Sequence, residues 1–176
     1  LDVRVYAGAR GKTNDGYYGV VPYPPTTNTY GSVTAPVTIG SGGYGVSWLH
    51  IAGGGRARIV VSGETLLNGK ITANGGLTGS YGPSIHYGQG SGGSVWLTTG
   101  TLRGSGIIEA RGGCGPDWYA GGGGGGRVAV YVTNGLDFGK VVLRAWGGTG
   151  VFGGGGAGTV YRETAAQAGG RGEMIV

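Results

Sequence analysis

The chain has 176 residues, and 47 of them are glycine, a share far above the usual ~7%. Collagen needs glycine at every third residue with much proline, but these glycines cluster irregularly and there are only six prolines. Disorder needs low hydrophobicity and high charge, but 39% of the residues are apolar and 12% charged, so glycine here punctuates an ordered chain.

The net charge of +5 comes mostly from arginines scattered along the chain. That spacing gives no basic stripe interleaved with aromatics, so nucleic acid is not an expected partner. The lone Cys114 excludes an internal disulfide framework and a cysteine-rich metal site. No apolar stretch approaches the roughly 20 residues needed to span a bilayer, and membrane insertion is not expected.

In chain order, residues 1–6 (LDVRVY) read as a strand that starts without methionine or a signal peptide, as in a mature, secreted chain. Residues 14–30 (NDGYYGVVPYPPTTNTY) read as an irregular excursion. Its Thr26, Thr27 and Thr29 either accept O-linked sugars or belong to a stiff surface loop. A short strand is predicted at 37–39 (VTI). Further strands, rich in Val and Ile and bounded by glycine, are predicted at 56–61, 70–73, 94–98, 107–110, 127–132, 142–145 and 159–162. Residues 163–167 are the one candidate for a short helix.

Three fourteen-residue segments align without a gap and end in Ala-x-Gly-Gly: 63–76 (GETLLNGKITANGG), 100–113 (GTLRGSGIIEARGG) and 135–148 (GLDFGKVVLRAWGG). A period of 35–37 residues marks stacked repeats. The expected fold is therefore all-β, a parallel β-helix (solenoid) with Gly-rich corner loops, in one repeat domain over 1–176. Ile71, Ile108 and Leu143 share a column, and so do Ala73, Ala110 and Ala145 two residues on. With a side-chain period of two, both columns face inward, and Thr72, Glu109 and Arg144 face out. Stacking then makes Glu109 and Arg144 neighbours about 4.8 Å apart. On the preceding strands the same alignment makes Val60, Leu97 and Val132 an inward column. It makes Ile59, Trp96 and Tyr131, continued by Tyr161, an outward one; Arg58 breaks the pattern, because Val95 and Val130 occupy its column.

The segments 30–43 (YGSVTAPVTIGSGG), 90–113 (GSGGSVWLTTGTLRGSGIIEARGG), 121–132 (GGGGGGRVAVYV) and 155–161 (GGAGTVY) resemble the glycine-rich repeats of large bacterial surface and secreted proteins. The resemblance covers roughly 30–161. It implies parallel β-helical repeats in extracellular, adhesin-like or matrix proteins, and it carries no catalytic residue over.

Catalysis is not expected. Glycoside hydrolysis needs two carboxylates facing each other, and the eight acidic residues fall in no tight group. Calcium needs several carboxylates round one cage. His50 and His86, 36 residues apart, would stack if the period holds, but nothing else joins them, and no cofactor or metal is expected. The aromatics are the more informative surface. Trp96, Tyr131 and Tyr161 either stack on sugar rings or cover the sheet against glycine-rich excursions or a neighbouring chain. Arg111 stands one rung from Trp146 and could stack on it.

Repeat stacks leave unpaired edges that soluble proteins cap. Val3 and Val5 at one end and Ile175 and Val176 at the other look like uncapped edges. The expected function is a non-catalytic subunit of an extracellular or cell-surface fibre or matrix, whose partners are copies of itself joined head to tail. The alternatives are a segment of a longer adhesin, flanked by further coils, and a carbohydrate-binding module for polysaccharide.

Overall fold

The structure, a computed structural model, describes residues 2–4, 31–43, 51–77, 87–115, 120–151, 153–167 and 169–176. Among them the only regular element that is not a strand is a 3-10 turn at Ala165–Gln167, which falls on the short helix candidate.

Strands β1 (Asp2–Arg4), β3 (Lys70–Thr72), β6 (Ile107–Glu109) and β9 (Val142–Arg144) form a parallel sheet in that order. A second sheet has the order β11 (Glu173–Ile175), β10 (Thr159–Thr164), β8 (Arg127–Val132), β5 (Ser94–Arg103), β2 (Arg56–Leu66). The third is a pair, β4 (Tyr87–Gly88) with β7 (Ala120–Gly121). The expectation of a parallel β-helix is corrected here. The strands form separate sheets of four, five and two, and the five-stranded one is mixed because β11 runs antiparallel to β10. Gly169 and Gly170, with φ of 91° and 81°, lie in the reversal before β11 and adopt the left-handed backbone that glycine tolerates.

The repeat period sets which strands pair. In the four-stranded sheet Ile71, Ile108 and Leu143 lie opposite one another, and so do Thr72, Glu109 and Arg144, as the sequence columns require. In the five-stranded sheet the register differs from the expected one. Arg58 pairs with Trp96, which pairs with Ala129 and then Tyr161; Ile59 pairs with Leu97 and then Val130. Ile59 stands 12 residues before Ile71, Leu97 11 before Ile108 and Val130 13 before Leu143, so the spacing changes in each repeat, through the bulge of β2 between Val61 and Glu64 and the longer connection 133–141. An alignment anchored on Ala-x-Gly-Gly therefore slips on the preceding strand, and a one-residue slip changes faces. Val60, expected inward, is 66% exposed.

The side-chain core lies between these two sheets. Val95, Leu97, Val128, Val130 and Ile108 are completely buried, with Leu67, Ile71 and Leu102 beside them. Each such residue contributes about 1.5–3 kcal/mol through removal of apolar surface from water. Residues 37–39 form no strand. They belong instead to a strap that lies against the outer face of the five-stranded sheet: Ser94 Oγ donates to Thr38 O at 2.6 Å and Arg127 Nη2 to Thr38 Oγ1 at 2.8 Å.

A third layer is built mainly from glycine. Each Ala-x-Gly-Gly segment runs beside the glycine run that follows it. Gly90 N donates to Gly76 O and Gly93 N to Ala73 O; Gly123 N to Gly113 O and Gly126 N to Ala110 O; Gly155 N to Gly148 O and Gly158 N to Ala145 O. In every pair one partner advances three residues while the other retreats three. That is the spacing of extended chains with three residues per turn, which leave their N–H groups for neighbours. The contacts are backbone on backbone. A Cβ built on Gly148 would lie 1.8 Å from Gly113 O, one on Gly93 1.8 Å from Gly55 O, and one on Gly112 1.9 Å from Gly123 O. Glycine is required here for close approach, because no side chain fits between the carbonyls.

Candidate functional site

Alternation along the five-stranded sheet turns Arg56 and Arg58 on β2, Trp96 on β5, Tyr131 on β8 and Tyr161 on β10 to the outer face, opposite the buried columns. The three aromatics do meet, though diagonally rather than in one column. The Trp96 and Tyr131 ring centroids are 6.4 Å apart and those of Tyr131 and Tyr161 5.5 Å, both pairs tilted. Arg58, which the sequence alignment put out of place in the column of Val95 and Val130, pairs with Trp96 instead, and its Cζ lies 4.5 Å from the Trp96 centroid, a cation–π geometry.

Tyr161 is only 5% exposed and offers no free ring face. Its hydroxyl donates to Glu163 Oε2 and accepts from Gly172 N. The hydrogen bond to the Glu163 carboxylate, followed by burial, raises the Tyr161 pKa above the ordinary phenol value. Burial first, and then the nearby Tyr161 and Glu163, raise that of Tyr131. The Tyr131 hydroxyl donates to Thr34 O at 2.6 Å, which ties it to the strap.

The other two expected site residues, Arg111 and Trp146, are close in sequence register but do not stack on each other. Arg144, two residues before Trp146 and so on the same face, places its Cζ 4.8 Å from the Trp146 centroid. Arg144 Nη1 also lies 4.0 Å from Glu109 Oε2, and Asn74 Nδ2 donates to Glu109 Oε1 at 2.6 Å. Asn74, Glu109, Arg144 and Trp146 thus form a polar ladder across three repeats, the predicted Glu109–Arg144 pair at its centre. Arg111 donates its backbone N–H to Asn74 Oδ1, while its Nε is buried without a partner. Hydrogen bonding to the Thr149 backbone lowers the Cys114 pKa, burial opposes this, and Arg111 adds a smaller lowering.

Of the expected edge residues, Val3 lies on β1, an edge strand of the four-stranded sheet, and pairs with Ile71, and Ile175 lies on β11, an edge strand of the five-stranded sheet, and pairs with Val160. Val176 follows β11 and is 78% exposed. Val5, Thr26, Thr27, Thr29, His50, His86 and the whole 14–30 excursion lie outside the described residues. Among the described residues no three His, Cys, Asp or Glu side chains group as a metal site.

Reading along the chain missed how folding gathers the cations. Arg56 and Arg58 lie on one face of β2, and Arg127 on β8 faces the same column as Arg56 with Ser94 between them. The signal was present as Arg-x-Arg at 56–58, which alternation sends to one side. Two depressions flank the strap. One, of about 230 Å³, is bordered by Val33, Ser91, Arg127 and Thr159. The other, of about 280 Å³, is bordered by Pro36, Val37, Arg56 and Arg58.

No family model, curated protein or solved structure matches this chain.

Proposed function

We propose that this chain is a non-catalytic structural protein of the cell exterior, whose sheet edges join copies of itself head to tail into a fibre or matrix. The observation that carries this reading is the distribution of exposed apolar side chains. Val37 lies on the strap, Val60, Leu66 and Leu77 in the first repeat, and Leu136, Val142, Val151, Met174, Ile175 and Val176 towards the other end; among the described residues of 87–133 no large aliphatic side chain is exposed. The middle strands β5 and β6 have a neighbour on each side, whereas β2 of the first repeat and β9 of the last are edge strands.

The strand order supports the same reading. β1 and β9 are the two edges of the four-stranded sheet and run in the same direction, so β9 of one copy can add to β1 of the next with the parallel geometry already used between repeats. A heterologous contact of this kind propagates when it does not close into a ring. In the five-stranded sheet the edges are β2 and β11, which run in opposite directions, so the antiparallel β11 cannot continue the parallel series there. The joint therefore centres on the four-stranded sheet.

Light scattering across a concentration series, with negative-stain electron microscopy, tests this. Assembly into filaments, lost in Val142→Lys while the circular dichroism of the fold is kept, is the expected result. A monodisperse monomer at every concentration overturns the reading.

A further inference from the structure

We propose that the outer face of the five-stranded sheet binds an acidic polysaccharide, a polymer bearing carboxylates on its sugar units, across the Arg56, Arg58 and Arg127 cations. This site lies on a sheet face, beside and not at the edges that assembly uses, so it does not rest on that reading.

The charges are pre-positioned. Arg56 Nη1 donates to Val37 O at 3.0 Å, Arg58 is held over the Trp96 ring, and Arg127 is anchored to Thr38. A guanidinium fixed through one contact gives up less freedom when it meets a carboxylate, and its planar fork suits two parallel hydrogen bonds. Arg56 and Arg58 are both exposed and border the larger depression, which has the apolar wall of Pro36 and Val37 on its other side. Glu163 on this face is 8% exposed and accepts the Tyr161 hydroxyl, and Glu64, further along β2, pairs with Arg103.

Spacing and chemistry point to a sugar polymer. Arg56 and Arg127 lie two strands apart, about 9.6 Å at ordinary sheet spacing, with Ser94 between them. An extended polymer that carries a carboxylate on alternate units can meet both. The smaller depression beside Arg127 adds the hydroxyl-bearing Ser91 and Thr159, with glycine backbone as its floor. Thr159 Oγ1 is buried without a hydrogen-bond partner, a state that ordinarily costs about 1–3 kcal/mol, and one step between staggered χ1 wells re-aims it. Hydroxyls, a flat floor and fixed guanidinia suit a polyhydroxylated anion. An acidic peptide would instead pair along the β2 edge, where backbone groups are available, and would not run across the face to Arg127.

The test is calorimetric and NMR titration of the whole chain with an oligogalacturonate, a neutral oligosaccharide of equal length and an oligoglutamate. The expected result is saturable binding of the oligogalacturonate alone, with amide shifts at Arg56, Arg58, Ser91 and Thr159. Arg58→Gln should weaken it about tenfold, the loss of one charge-assisted hydrogen bond. Thr159→Val keeps shape and removes only the hydroxyl. It should weaken binding about fivefold without lowering thermal stability, which separates a ligand group from a structural one. Equal binding of oligoglutamate or of the neutral sugar, no binding of any probe, or wild-type affinity in Arg58→Gln overturns the proposal.

Discussion

Strands β5 and β8 hold Val95, Leu97, Val128 and Val130 in a side-chain core, whereas the Ala-x-Gly-Gly segments and glycine runs beside them meet through bare backbone. The first region is held by buried side chains and the second by hydrogen bonds between backbones, and they fail in opposite ways. Removing atoms from the first leaves a void, and the surroundings relax only in part. Adding one carbon to the second drives it into a carbonyl that belongs to a neighbouring segment and cannot rotate away. A glycine run can therefore be as sequence-specific as a hydrophobic strand, with steric exclusion in place of buried area.

Substitutions sharpen that contrast. The largest effect is expected for Gly148→Ala, whose Cβ would sit 1.8 Å from Gly113 O. A cost above about 3 kcal/mol, beyond ordinary overpacking, should appear in urea denaturation. Leu97→Ala in the completely buried core should cost about 3 kcal/mol by the same measurement. Tyr161→Phe, which removes the donor to the buried Glu163 carboxylate, should cost about 2 kcal/mol.

That variant should also change the alkaline behaviour. The folded chain keeps the Tyr161 proton above the unfolded value near 10. The resulting stability is complete below pH 10 and is lost as pH rises through the folded pKa. Unfolding midpoints above pH 10 should therefore fall less steeply in Tyr161→Phe than in the wild type. The smallest effect is expected at Gly124, inside the same glycine run as Gly123 and Gly125. A Cβ there meets only Ser91 Oγ at 3.7 Å, whereas at Gly123 and Gly125 it would meet carbonyl oxygens at 2.1 Å. Gly124→Ala should lie within about 0.5 kcal/mol of wild type or stabilise slightly, because alanine restricts the unfolded chain. If Gly123→Ala behaves like Gly124→Ala, the backbone-packed layer is wrong.

Much of the strand half was legible in the sequence, because buried columns must repeat where strands stack. Ile71, Ile108 and Leu143 lined up, and Glu109 met Arg144. The slip on the preceding strands came from the β2 bulge between Val61 and Glu64 and from the longer connection 133–141, which no side-chain pattern marks. The antiparallel return of β11 was hidden because Gly169-Gly170 looked like two more glycines in a glycine-rich chain. The glycine layer was half visible. Close backbone approach was foreseeable from composition, but which glycines touch depends on a three-residue spacing that has no side chains to reveal it. At the candidate site the aromatics were legible in the sequence columns, and the cations were not, because Arg127 joins Arg56 only through the sheet.

The most direct test is amide hydrogen exchange resolved residue by residue. Gly93, Gly126 and Gly158, whose N–H groups donate across the glycine layer, should exchange as slowly as Val128 and Val130 in the core strands. Exchange of these glycines at the rate of an open loop, with the strands still protected, would contradict a layer held by backbone contact.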